Sequence, residues 1–518
     1  MKPARTKAFL TAVTARARRD EGFTMVVALG VLTVVTLLIG AAFVAANGDI
    51  GNAQRSAEGK RAYYSARAGV NAFLAELNQN PELWETCPSK AKTNVPGAGN
   101  QSYQYSSVPA NGQSACSAAK PIDTMIDKAT GTFRMRFTGY AGTPENSRTL
   151  IVSFRRDTPL DFLYYTIYET SDPNIYDVPA NYQKCARFWR DSRSTDCSRI
   201  NFTTGDSING PMYTQDQFAT TGTPTFGRVG KGDVISSSAP SNVYYGGGTP
   251  TLNGDVVANA PFITPPADNS SLLSYAQQDG IVISGARLIY LAGSTAYAYR
   301  DTSFTNPTVI NLEADPIIYI TNSSAGCPEV TNPYAPTYIN SNTGCGNAFV
   351  YGSYSRSVTI AAQNDVIAVG DITTDLDGPA VMGLVANNFI RVMHAIDGRS
   401  QPRPGGCGSG KNNSDYSRAD IQIDAAMLAL NHSFIVDNYD CGAPLGSLEV
   451  NGAIAQLFRG AVGTGNASST STGYLKDYNY DDRLAVQQPP YLFDFASASW
   501  RAVRETACTP GATGATAC

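Results

Sequence analysis

Ten cysteines and two histidines are the side chains of this 518-residue chain best suited to covalent or metal chemistry. All ten cysteines lie beyond residue 86, in couples close in sequence: Cys87 with Cys116, Cys185 with Cys197, Cys327 with Cys345, Cys407 with Cys441, and Cys508 with Cys518. An even count, no C-x-x-C spacing and so little histidine point to disulfides in an oxidising compartment rather than zinc sites. Spacing alone leaves the connectivity open. His394 (IRVMHAI) and His432 (ALNHSFIV) sit in apolar, strand-like surroundings without H-x-x-H or H-E-x-x-H spacing, so both read as hydrogen-bonded structural residues.

Two groups of carboxylates invite a functional reading. Asp365, Asp371, Asp375 and Asp377 offer calcium ligands, but they lack the D-x-[DN]-x-[DN]-G register, and acids at strand ends commonly cap turns. Asp477, Asp481 and Asp482 beside Arg483 resemble the paired carboxylates of a glycosidase, and without a cleft signature they read as a salt-bridged closing segment. No G-x-S-x-G or P-loop motif is present, and the glycines at 246–248 and around Cys407 read as flexible loops. Tyr164, Tyr165, Tyr168, Tyr474, Tyr478, Tyr480 and Tyr491 would stack on sugars in an adhesin and otherwise pack within strands. The chain is expected to be no enzyme, with no catalytic, cofactor-binding or metal-binding residues.

These residues follow an N-terminus of another character. The first 22 residues carry six basic side chains (Lys2, Arg5, Lys7, Arg16, Arg18, Arg19) against Asp20 and Glu21, a net of +4 that leaves −8 for the remainder. An acidic remainder without a basic tract excludes nucleic acid as a partner. Phe23–Gly48 holds no charged residue and exceeds the roughly 20 apolar residues that span a bilayer. The basic flank places the start inside and everything after Asp49 outside. A secretory signal peptide cut near Val44-Ala45-Ala46 is the alternative, but the apolar run is longer than the roughly 7 to 15 residues of such a segment. Beyond it, Tyr63, Ala66, Val70, Phe73 and Leu77 recur every three or four residues, as on one face of a helix. Asn47-Gly48 and Gly51 are expected to bend that helix, and Pro81 to end it.

The junction Glu21-Gly22-Phe23-Thr24, followed by the uninterrupted apolar run, resembles the class III leader of type IV prepilins. The resemblance implies cleavage by a prepilin peptidase between Gly22 and Phe23. Major pilins carry Glu at the fifth mature position; here it is Val27, a feature shared with minor pilins of the PilX type and pseudopilins of the GspK type, which are placed at or near filament tips. AYYSARAGVNAFLAEL is similar to the end of the PilX N-terminal segment. Stretches such as GDSINGPMYTQD (205–216), VTIAAQNDVIAVGDI (358–372), MGLVANNFIRVMH (382–394) and VNGAIAQLFRGAVG (450–463) look like the outer region of exported PilX-like proteins. The resemblance implies other pilin-like subunits as partners and no enzymatic activity.

Charged residues make up only 16% of the chain, while glycine and tyrosine are plentiful, which suits strands joined by polar turns. The fold class expected is mainly β with an N-terminal transmembrane α-helix, the outer body being a parallel β-solenoid or, alternatively, a β-sandwich. The expected divisions are a cytoplasmic basic leader (1–22), the transmembrane and pilin-like helix (23–80), a looped neck (81–120), a β-hairpin region (121–175), a solenoid-like body (176–495) and a C-terminal tail (496–518). Function is then expected to be structural: a single-pass, membrane-anchored subunit of a type IV pilus or related secretion filament, its body at the cell surface. A surface adhesin binding glycan is the alternative, and a β-helix polysaccharide-degrading enzyme stands behind both.

Overall fold

The computed structural model describes residues 24–508 apart from 129, 144, 177–181, 190–191, 325, 329–333, 335–343, 400–406, 408–411, 467–468 and 493–499. The chain is mainly β with one long, apolar N-terminal helix, α1 (Thr24–Gln79). The helix runs without interruption through Asn47, Gly48 and Gly51, where a bend is expected from sequence. Glycine weakens a helix by about 1 kcal/mol relative to alanine but removes no hydrogen-bond donor, so nothing here compels a break.

The two halves of α1 differ in what surrounds them. From Met25 to Val44 the large apolar side chains are exposed. From Ala62 onward, Ala62, Ala66, Val70, Phe73 and Leu77 are buried. Ala62 rather than Tyr63 begins this stripe; Tyr63 lies half out of it, and its hydroxyl donates to Glu505 at 2.7 Å.

The stripe packs on an antiparallel sheet of β1 (Ser89–Asn94), β2 (Ser102–Val108), β3 (Phe133–Ala141) and β4 (Asn146–Arg156). Alternate residues of β3 face the helix, as the period-two pattern of FRMRFTGYA requires. Phe73 lies 5.1 to 6.3 Å, centroid to centroid, from Tyr105, Phe133, Phe137 and Phe154. At Gly139 a Cβ would run into the Ala62 carbonyl and the Ala66 amide, so helix and sheet meet backbone to backbone there.

Two segments differ from expectation. The neck read as loop supplies β1 and β2, because Tyr103 and Tyr105 alternate inward and the polar SKAKTN then closes the edge. The segment read only as a C-terminal tail (496–518) supplies a fifth strand, Trp500–Ala507, antiparallel to β4. The chain therefore leaves this head after Arg156, builds the whole body and returns to complete the head sheet. The body is an insertion.

The body begins with β5 (Tyr164–Ser171) and contains one large curled sheet in which most neighbours are parallel. One ladder runs through Ile281–Ser284, Ile317–Thr321, Val358–Ala362, Met382–Ala386, Ala426–Ala429, Pro444–Arg459, β5, Met212–Thr214, Val234–Ser237 and Asp255–Val257. The ladder does not follow chain order as a plain solenoid would: β5 sits between Pro444–Arg459 and Met212–Thr214. Antiparallel neighbours, Arg287–Gly293 with Thr295–Tyr299 and then Thr308–Asn311, further interrupt regularity.

The chain passes from one end of the ladder to the other by a lengthwise strap. Tyr213 donates to the Pro261 carbonyl at 2.6 Å, Tyr165 to that of Ile263, and Tyr319 to the Asn269 side chain at 2.8 Å. The helix Ser270–Asp279 follows and packs on Ile317–Thr321. Sequence reading placed this stretch in the solenoid-like body with no clear helix; Leu272 and Ala276, one helical turn apart and both buried, hold it as one.

Candidate functional site

Two features are candidates for function: the exposed apolar half of α1 with the head that holds it, and the β-rich body. Within α1, a helix long and apolar enough to cross a membrane begins at Met25. Two threonines in that stretch, Thr33 and Thr36, return their hydroxyls to helix carbonyls one turn back, so neither hydroxyl is left bare on an apolar surface. Gly22 and Phe23, the expected cleavage pair, lie outside the described residues, as does the whole basic leader.

The head fixes the other half of the helix by polar as well as apolar contacts. Glu76 accepts from Lys90 at 2.7 Å and from the Tyr105 hydroxyl at 2.9 Å. Burial works to raise the Glu76 pKa, but these two donors hold it below the ordinary value. Burial first, then the Glu76 carboxylate, pushes the Tyr105 hydroxyl well up. The last strand is anchored at Trp500, whose backbone exchanges hydrogen bonds with the Asn78 side chain and whose indole donates to the Pro81 carbonyl at 2.8 Å.

Four disulfides join Cys87 to Cys116, Cys185 to Cys197, Cys327 to Cys345, and Cys407 to Cys441. The couple Cys508 with Cys518 lies outside the described residues at Cys518. Among the described residues, Cys407, Asp440 and Cys441 form a group close enough to hold a cation, but both sulfurs are spent on a disulfide.

The histidines are buried and partnered. His432 Nδ1 lies 2.6 Å from an Asp172 carboxylate oxygen, and its ring stacks on Phe389 at 4.5 Å. His394 Nε2 lies 3.0 Å from the Asn413 side-chain oxygen. They do not share a site.

The first aspartate group is dispersed. Asp365 is fully buried, where it accepts from the Phe389 amide and pairs with Arg391 at 3.2 Å. Arg391 also makes a two-pronged pair with Asp437, at 2.8 and 2.9 Å. Burial, offset in part by that shared arginine, raises the Asp365 pKa to about 6 and raises that of Asp437 as well. Asp371, Asp375 and Asp377 are exposed instead, and Asp371 and Asp375 accept backbone amides from Gln422 and Asp377. In the second group, Asp482 pairs with Arg228 and Lys231, and Asp481 caps a short turn while binding Arg483. Arg483 donates on to the carbonyls of Gly378 and Ala380 at 2.7 and 2.9 Å.

Most of the tyrosines singled out from sequence face inward. Tyr164, Tyr165, Tyr474, Tyr478, Tyr480 and Tyr491 are buried, and Tyr165 stacks on Tyr213 to hold the strap. Sequence reading missed Asp172, Asp437, Arg391 and Trp500 as structural anchors. Their partners lie far off in the chain, 260 residues for the pair Asp172 and His432, so no local spacing signals them.

No family model and no curated protein matches this chain. Among solved structures, the competence-associated pilin ComZ from Thermus thermophilus aligns with 87% of this chain and 98% of its own, at 12% identity and a TM-score of 0.27. A likeness of that strength carries no argument about fold or function.

Proposed function

We propose that this chain is a non-catalytic, pilin-like subunit, anchored in a membrane through α1 and carrying its β-rich body outside the cell. One observation carries the reading. A single unbroken helix presents an exposed, uncharged half, then buries its other half against an antiparallel sheet. The exposed half needs lipid or the helices of other subunits to cover it, since a run of apolar side chains in water is unfavourable by roughly 25 cal/mol for each Å².

In this reading prepilin peptidase cuts between Gly22 and Phe23, and the stem then passes from membrane to filament. Val27, in place of the usual acid, supports a minor subunit of PilX or GspK type over one that forms the bulk of a pilus. The body is read as a solenoid split by its own insertion point. Disulfides stiffen the exposed parts, in keeping with an oxidising exterior.

N-terminal sequencing of protein recovered from membranes tests the reading. A start at Phe23 is expected, with processing kept in Gly22→Ala and lost in Gly22→Leu. A start at Asn47, or a soluble cytosolic protein with reduced thiols, overturns it.

A further inference from the structure

We infer that the body binds the terminal residue of a neutral glycan in a cleft between loop 198–206 and the segments 461–465 and 469–476. The cleft measures about 250 Å³, room for one sugar ring rather than for a chain. Its floor is the Lys476 and Asp206 pair, 2.8 Å apart, with side chains 12% and 1% exposed. Register explains the pair: Asp477 lies opposite Ser207 on adjacent parallel strands, so the preceding residues meet as cross-strand neighbours.

The walls are polar and unspent. Ser171, Ser198, Thr203 and Thr470 line the cleft, and their hydroxyls have no hydrogen-bond partner among the described residues. Asn201 in the same wall has a side-chain oxygen shielded from solvent and without a partner. A shielded oxygen of this kind costs free energy unless something donates to it. Hydroxyl groups that both donate and accept suit a ligand built the same way.

Charge narrows the class. Asp206 and Lys476 neutralise each other at the floor, and Arg199 is exposed at the rim, so the floor offers no net charge to a carboxylate, a phosphate or an amine. Burial also lowers the Lys476 pKa, with Asp206 working against it. Donor beside acceptor at the floor is the arrangement that two neighbouring sugar hydroxyls satisfy together. The inference does not depend on how the chain is anchored or assembled.

Full-length protein in detergent micelles, titrated with glucose, galactose, mannose and N-acetylglucosamine and read by saturation-transfer NMR, provides the test. Glucuronate and glucosamine serve as charged comparators. At least one neutral sugar should saturate, with affinity about tenfold weaker in both Thr203→Val and Asp206→Asn. The comparators should bind more weakly than that sugar. Thr203→Val sits at the lip, so it decides the matter if Asp206→Asn fails to fold. Absence of saturation by every neutral sugar, equal affinity in Thr203→Val, or equal binding of a comparator overturns the inference.

Discussion

Replacing Trp500 with alanine should loosen the head and leave the body intact. Trp500 is 4% exposed, with ring centroids 5.0 Å from Phe133 and 6.1 Å from Trp84, and it begins the strand that returns from the body. Truncating a buried tryptophan costs about 3 to 5 kcal/mol. The lost indole hydrogen bond to Pro81 falls within that range, so about 4 kcal/mol is the working figure. If the head opens as a local unit, amide exchange across β4 should accelerate by about a thousandfold, since each 1.4 kcal/mol is about tenfold. Hydrogen exchange read by mass spectrometry on full-length protein would compare residues 146–156 with the ladder strands Ile317–Thr321 and Met382–Ala386. Those ladder strands should change by less than about threefold. A change in β4 below about tenfold, or equal acceleration in the ladder, refutes the claim that the returning strand holds the head.

Three further predictions follow from particular contacts. Gly139→Ala should lower head stability by about 1 to 3 kcal/mol in denaturant unfolding, because the added methyl meets helix backbone that cannot step aside. Asp365 has a folded-state pKa of about 6 against an ordinary 3.8, so the folded form holds its proton more tightly. The stability of wild type relative to Asp365→Asn should therefore fall as pH rises across that window, and a flat difference would contradict the buried triad. The disulfides close loops of 12 to 34 residues, so each should contribute about 3 to 4 kcal/mol; the Cys407 and Cys441 bond should exceed the Cys185 and Cys197 bond when each is removed by serine substitution.

What was legible in the sequence is what local chemistry dictates. The apolar run after Phe23, the spacing from Ala66 to Leu77 and the alternation in FRMRFTGYA each report one element through its own side chains. β1 was illegible because SKAKTN holds no buried apolar residue; its strand conformation is imposed by β2. The returning strand was illegible for a related reason. Trp500 is its only fully inward residue, and the partner that makes it a strand lies more than 300 residues earlier, in β4. Short apolar strands with Gly or Asn turns were evident, but their order in the ladder was not, since any of them could neighbour any other until the strap is known. The strap itself is Pro- and Asn-rich chain held by tyrosine hydroxyls, which reads in sequence as ordinary loop.

The insertion also explains how so distant a strand finds β4. Closing a flexible loop of several hundred residues carries an entropy cost that grows with the logarithm of its length. A folded body removes most of that cost if its own ends are already together. The Tyr480 hydroxyl donates to the Leu160 carbonyl at 3.1 Å, joining the chain near its exit from the body to its entry before β5. Just below, Asp161 receives both Arg155 at the end of β4 and Arg501 in the returning strand. One carboxylate thus binds the two strands that carry the body. For the head, the inserted body then acts as a preformed turn between β4 and Trp500–Ala507. Closure of the head by Trp500–Ala507 then costs least entropy once the ladder is complete.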